Sequence, residues 1–233
     1  MLVQGTVNDA MKKRSTIRFV MEGMEGILVS LAVILTWPVS KRWLENRGST
    51  SAERQKTWPG DALVENRKTV YTRGISIAAS AETVWTWVVQ FGYGRAGFYS
   101  YELLERLVGI PVTNMESIDP ALQSLERGDE ILLHPKVPGI PVAFAEQNTY
   151  VCFGELDGRM NPVQDTIRSW SFYVEPTGRM SCRLILRGCI EALREPTIGK
   201  RIGLAFEGPI DFIMEQRMMR TIKRLSETLS RVG

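Results

Sequence analysis

Between Ser80 and Leu107 the chain reads SAETVWTWVVQFGYGRAGFYSYELLERL, and this stretch is compatible with two mutually exclusive folds. Gly92, Gly94 and Gly97 fit the G-x-G-x-x-G pattern of a dinucleotide-binding loop. An apolar run precedes them, a helix-like run follows, and Glu116 and Asp119 lie about 20 residues on, where a ribose ligand is expected. The alternative is a helix, a glycine turn and a second helix, with no nucleotide. The fingerprint requires a strand just before the glycines. Alternation over Val84 to Phe91 permits one, with Trp85, Trp87, Val89 and Phe91 on one face. The helical template also fits, with Val84, Val88 and Phe91 on one stripe. The start signal decides between them. Ser80 stands just before the run, with Glu82 and Thr83 in the first turn, and a serine hydroxyl there accepts from an otherwise unpaired backbone N–H. Upstream, Thr69 to Ala78 (TVYTRGISIA) reads as the strand. Strand, capped helix and glycine turn put the glycines in the wrong place for a phosphate, so they are expected to let two helices reverse. Neither a dinucleotide nor any other cofactor is expected.

At 233 residues, one domain plus an extension is the natural size. A hydrophobic content of 44% supplies a real core, and a net charge of +3 is too mild to point to nucleic acid. Cys152, Cys182 and Cys189 are odd in number and form no C-x-x-C pair, which argues against a disulfide framework and fits a reducing compartment. With His134 as the one histidine, a transition-metal site is not expected. A Ser-His-Asp arrangement would depend on that histidine, which precedes Pro135 in a turn-like segment, and there is no G-x-S-x-G elbow.

The N-terminal part has its own character. Residues 1–18 form a polar tail with the basic cluster Lys12, Lys13 and Arg14. Phe19 to Val39 then reads FVMEGMEGILVSLAVILTWPV, about 20 residues and long enough for a hydrocarbon layer. Glu22 and Glu25 are its cost, bearable near the end of a span. Trp37 and Trp43 suit an interface, and Lys41 and Arg42 give a cationic flank. A cleaved signal peptide would need a small-x-small site, which is missing. A soluble amphipathic helix has the stripe Leu28, Leu31, Ala32 and Leu35, but Val29, Val33 and Ile34 cover its other sides. The favoured reading is a transmembrane anchor over 19–40, a linker over 41–57 and a soluble domain over 58–233. The cysteine usage puts that domain on the cytoplasmic side, although basic residues are similar in number on both flanks.

Beyond the glycine turn, Tyr99 to Val108 continues as a helix ended by Gly109 and Pro111. Gly128-Asp129 turns into Glu130 to Leu133. Strand-like runs follow at Ala143 to Glu155, Thr166 to Glu175 and Met180 to Glu191, the last two joined at Pro176-Thr177-Gly178-Arg179. In the second run Arg168, Trp170 and Phe172 share one face, and Ser169, Ser171 and Tyr173 the other. The chain ends in a helix over Glu207 to Arg231, with an apolar stripe through Ile210, Ile213, Met214, Met218 and Ile222. Strands followed by segregated helices indicate α+β rather than a doubly wound sheet.

This order resembles the helix-grip fold of the SRPBCC superfamily, which includes START domains and polyketide cyclase-like proteins. The similarity is greatest to bacterial members of unassigned function. It rests on Pro59-Gly60-Asp61, Ala81-Glu82-Thr83-Val84-Trp85, Gly92 through Tyr101 (GYGRAGFYSY) and Leu125-Glu126-Arg127-Gly128-Asp129. It covers about residues 58–230. Many such relatives look membrane-anchored, with an Arg-Trp-containing linker that Arg42-Trp43 matches. The resemblance implies a curved antiparallel sheet gripping the C-terminal helix around a cavity for an apolar ligand. It implies no reaction, because the superfamily holds both binders and enzymes.

The candidate cavity residues are Trp85, Phe98, Tyr99, Tyr101, Trp170 and Phe172, with Ile210 and Met214 from the C-terminal helix. Arg183 and Arg187 share one side of a strand with Ile185; Cys182, Leu184 and Leu186 take the other, and either set can face inward. Two buried cations would need an anionic ligand or carboxylates such as Glu207; an exposed basic face is the alternative. Three functional classes follow: a membrane-tethered carrier of a hydrophobic or amphiphilic molecule or lipid; a cyclase, dehydratase or hydrolase using Tyr99, Tyr101 and Glu146; and a regulatory module with a collapsed cavity. Titration with NAD, NADP and FAD should give no heat beyond dilution. Micromolar binding that is lost in Gly94→Val would restore the dinucleotide loop.

Overall fold

The computed structural model describes residues 2–157, 159, 161, 163, 168–191 and 198–232, with the backbone alone for 2–15, 198–207 and 232. Helix α1 (Leu2–Glu45) and the short α2 (Ser51–Gln55) lead to a 3-10 turn at Pro59–Leu63 and strand β1 (Arg67–Ile77). Helices α3 (Ala81–Val89) and α4 (Glu102–Leu107) follow. The chain then forms β2 (Glu130–Ile131), β3 (Ile140–Glu146), β4 (Tyr150–Phe153), β5 (Arg168–Gly178) and β6 (Ser181–Glu191), and closes with α5 (Ile198–Val232). The strands pair antiparallel in the order β1-β6-β5-β4-β3-β2. The fold is α+β, a curved sheet held on a long C-terminal helix.

Local chemistry sets the elements. The Ser80 hydroxyl accepts from the Thr83 N–H at 3.2 Å, so α3 begins at the capping signal, with β1 upstream of it. The glycines therefore follow a helix. Gly92, Gly94 and Gly97 take φ of 132°, 72° and 80°, and the Gly92 N–H closes the turn on the Gly97 carbonyl at 2.9 Å. The next helix begins at Glu102 and not at Tyr99, because Tyr99 is itself left-handed at φ 56°. The run expected over 143–155 divides into β3 and β4 around Asn148, at φ 61°. The last helix starts before Glu207, whose side chain lies outside the described residues, as do Thr166 and Ile167.

Alternation along the strands gives the sheet two covered faces. Tyr71, Ile77, Phe172, Val174, Leu184 and Leu186 pack inward with Val84 and Val88 of α3 and Met218, Met219 and Ile222 of α5. On the outer face Tyr173, Ile185 and Cys189 are covered by Trp58, Leu63 and Val64. Asp61 pins that cover. It accepts from Arg187 Nε at 2.6 Å and Nη2 at 3.0 Å, and from the Trp58 N–H at 3.2 Å. Gly60 allows the close approach, since a Cβ there would collide with Ser171 Oγ. The stretch expected as a linker also packs here: Glu53 caps α2 with Thr50 and takes Arg183 Nε at 2.8 Å.

Helix α1 docks lengthwise, antiparallel to α5. A Cβ on Gly208 would run into Trp37, Val33 is buried with Phe212 and Ile213, and Glu22 pairs with Arg217 at 2.9 Å. Farther toward the N-terminus, Arg18 and Arg224 share Glu116 at 2.7 and 2.6 Å. Tyr101 Oη donates to Glu25 at 3.1 Å. By length and composition the Thr16–Glu45 portion is able to cross a membrane.

Burial alone would raise the Asp61 carboxyl, but the Arg187 guanidinium and the Trp58 N–H hold it below its usual value. Its contribution to stability is present above the ordinary aspartate range and lost as pH falls through the lowered pKa. Asp61→Asn leaves Arg187 buried without a carboxylate and should cost about 3–5 kcal/mol at neutral pH, read from urea unfolding. A loss under about 1 kcal/mol would show that the cover is held by packing alone.

Candidate functional site

A cavity of about 230 Å³ lies between the inner face of the sheet, the segment leading into α4, and α5. Its apolar walls include Phe98, Ile110, Leu133, Trp170, Met214 and Met218. From α5 it takes Asp211, Met214, Glu215 and Met218, the spacing of a single helical face. Gly188 seats one of its walls. That residue stands between Tyr71 of β1 and Trp170 of β5 in the register, and a Cβ on it would strike the Tyr71 ring. Without a side chain there, the Tyr71 ring is able to lie directly over Gly188 as one wall of the cavity.

Most of the polar groups of the cavity are buried. Tyr71 Oη donates to Glu215 Oε1 at 3.0 Å, and Arg73 forms an ion pair with the same carboxylate. The Arg73 guanidinium also lies 4.4 Å from the Tyr71 ring centroid. Burial pushes the Tyr71 phenol up. Glu105, only 6% exposed, accepts from Ser100 Oγ at 2.6 Å. Burial pushes its carboxyl up, and the Ser100 hydroxyl opposes that by bonding the charged form. Trp170 Nε1 is a buried donor with no acceptor among the described residues. Arg168 and Asp211, 3.8 Å apart, are the more exposed members. Apolar walls with a buried carboxyl of raised pKa and an indole N–H that finds no acceptor among the described residues suit a ligand that carries one or two polar atoms on an apolar body.

Of the residues expected from the sequence, Phe98, Trp170 and Met214 line this cavity. Phe172 lies beside it in the core, its ring centroid 4.7 Å from that of Trp170. Trp85 borders a separate space beside Gln123 and Arg127. Tyr99 is fully buried, takes a bond from Gln90 Nε2 at 2.8 Å, and borders a polar groove between α1, α4 and α5. That groove is larger, about 450 Å³, but Arg18, Arg217 and Arg224 along it are already paired with Glu22 and Glu116. Tyr101 faces α1 under Arg217.

Other expectations also need correcting. Ile210 is half exposed, because the cavity-facing side of α5 passes through Asp211 and Met214. Arg183 and Arg187 lie on the outer face and not in the cavity. Leu184 and Leu186 of the same strand face inward, and the arginines are closed by Glu53 and Asp61. They are thus neither ligand anchors nor an exposed basic face. Glu146 is exposed at the end of β3. Ser100, Glu105 and Glu215 were not anticipated. The clearest available signal was Arg73, which alternates with Tyr71, Ile75 and Ile77 on an otherwise apolar strand face and so demands a buried acid opposite.

No family model matches the chain, and no curated protein matches it. Solved structures do. A START superfamily protein from Mycobacterium smegmatis is 13% identical over 69% of this chain and 98% of its own, with a TM-score of 0.36. A polyketide cyclase-like protein from Corynebacterium glutamicum is 16% identical over 69% and 91%, with a TM-score of 0.31. The Aha1 dimer from Colwellia psychrerythraea is 16% identical over 69% and 97%, with a TM-score of 0.33. The helix-grip assignment itself rests on the strand order and on the seat of α5 against the inner face.

Because the folded state keeps the Glu105 proton where the unfolded chain has lost it, stability should fall as pH rises from the ordinary carboxylate range through the raised pKa. Glu105→Gln keeps the acceptor for Ser100 and removes that slope. Thermal melts should show the variant ahead of the wild type near about pH 8, with the advantage gone below about pH 4. Parallel curves across this range would mean that Glu105 is not perturbed by its pocket.

Proposed function

We propose that the protein is a membrane-associated binding module that holds a small apolar or amphiphilic molecule between its sheet and α5. The observation that carries this reading is the cavity itself: apolar on most sides, and furnished with Glu105 and with a Trp170 N–H that has no acceptor among the described residues. Its roughly 230 Å³ is below the roughly 300–1,000 Å³ of common small-molecule sites. That favours a compact molecule, or the end of one acyl chain, over a two-chain lipid. Apolar burial at about 25 cal/mol per Å² is sufficient to hold such a ligand without covalent chemistry. Membrane association is supported by α1, whose outer side exposes Met21, Leu28, Leu31, Leu35 and Val39. Three free, buried cysteines are in keeping with a domain on the cytoplasmic side.

Glu105 favours a second reading, an enzyme of the cyclase or dehydratase kind. A carboxyl whose pKa burial raises beside an apolar site is suited to general-acid work. In that case the acid is Glu105, with the Tyr71 phenol nearby, in place of Tyr99, Tyr101 or Glu146.

Native mass spectrometry of detergent-extracted protein should reveal a bound small molecule. Met214→Trp should weaken an apolar fluorescent probe at least tenfold while shifting the melting temperature by no more than about 2 °C, because it fills open space. In a close-packed core the same change costs about 1–3 kcal/mol. A large drop in melting temperature, with no probe bound by the wild type, would refute the carrier reading. Conversion of the bound molecule that stops in Glu105→Gln would favour the enzyme.

A further inference from the structure

The two sides of α1 differ completely in what they meet. Its inner side is fitted to the domain. A Cβ on Gly23 would run into Leu103, and one on Gly26 would reach the Tyr101 ring at 3.0 Å. Glu22 and Glu25 both face Arg217, at 2.9 and 3.5 Å. The outer side carries Val20, Met21, Met24, Ile27, Leu28, Leu31, Leu35 and Val39, all exposed. Charge gathers at the two ends of this apolar face. Arg18 stands at one end, with Arg220 and Arg224 exposed on the adjoining turns of α5. Lys41 and the exposed Trp43 stand at the other.

We infer that α1 lies flat in one leaflet of a membrane, outer side in the hydrocarbon, rather than crossing it. The inference rests on the membrane association proposed above and changes its geometry. From Thr16 to Lys41 the helix measures about 37 Å, enough to cross. The same stretch, however, is clasped by the domain from Arg18 to Trp37. A crossing helix in this arrangement would carry Arg217, Arg224 and Glu116 into hydrocarbon, which opposes insertion at each charge. Undocking it would avoid that but would leave Glu22 and Glu25 there without Arg217. Lying flat keeps every ion pair on the domain side and hides the exposed aliphatic row. This is the behaviour of an in-plane amphipathic helix, here with a folded domain as its polar face. Lys41 and Arg220, both exposed, would then meet anionic headgroups.

The test uses full-length protein with single cysteines at Thr16, Leu28, Lys41 and, as the domain marker, the exposed Thr149. The native cysteines are buried and give little background. Sealed vesicles containing phosphatidylglycerol are treated with a membrane-impermeant maleimide from one side and then, after lysis, from both. Thr16→Cys, Lys41→Cys and Thr149→Cys should label together from the same side, and Leu28→Cys should resist labelling from either. A nitroxide at Leu28→Cys should be relaxed more by oxygen than by an aqueous nickel chelate. Thr16→Cys and Lys41→Cys labelling from opposite sides would overturn the flat helix while leaving membrane association intact. Protein that never sediments with the vesicles would remove both. A Leu28→Cys disulfide formed between two copies in water would assign the face to a second copy of the chain instead.

Discussion

Glu215 of α5 is the point on which the rest of the structure depends. It sits beneath the inner face of the sheet and receives both the Arg73 guanidinium and the Tyr71 hydroxyl from β1. A cation as buried as Arg73 costs several kcal/mol to desolvate, and its loss of partner would be more expensive still. The pair therefore admits one seating of α5 against the edge strand. Arg73 also stacks on Phe212, which packs against α1. One buried ion pair thus connects the edge strand, the gripping helix and the N-terminal helix.

That seating also explains why there is a cavity. The inner face is well filled where Met218, Met219 and Ile222 meet Leu184, Leu186 and Phe172. It is hollow beside Tyr71 and Trp170, next to the polar residues Glu215 and Asp211 of α5. A helix turn that presents carboxylates to a sheet cannot approach it as closely as one that presents methionines, because the acids need partners and room. The opposite face follows the usual rule. There the Trp58–Val64 segment and the Asp61–Arg187 pair leave close packing, with the Trp58 and Tyr173 ring centroids 4.3 Å apart.

The N-terminal helix shows how a single composition can hide two environments. Read along the chain, Phe19 to Val39 is apolar nearly all round, interrupted by two glutamates. In the fold the glutamates and glycines gather on the domain side, against Arg217, Leu103 and Tyr101, and the large aliphatics gather on the other. The apparent defects of a membrane span are the fittings of a docked helix.

Much of this architecture was legible in the order of residues. The Ser80 cap, the glycine turn, the strand alternation and the amphipathic C-terminal helix are local signals, each depending on neighbours a few positions away. They fixed α+β, and the resemblance to the helix-grip fold grouped Phe98, Trp170 and Met214 as cavity residues. What the sequence left open was which side of each element faces in. Arg183 and Arg187 could be read as cavity cations until the outer cover, a segment more than a hundred residues away, supplied Glu53 and Asp61. Glu105 and Glu215 gave no local signal, because a carboxylate on a helix looks solvated until a strand brings an arginine, or a loop a serine, against it. Periodicity decides how a chain is shaped locally; pairings between distant residues decide where its buried charges find partners, and the cavity was set by those.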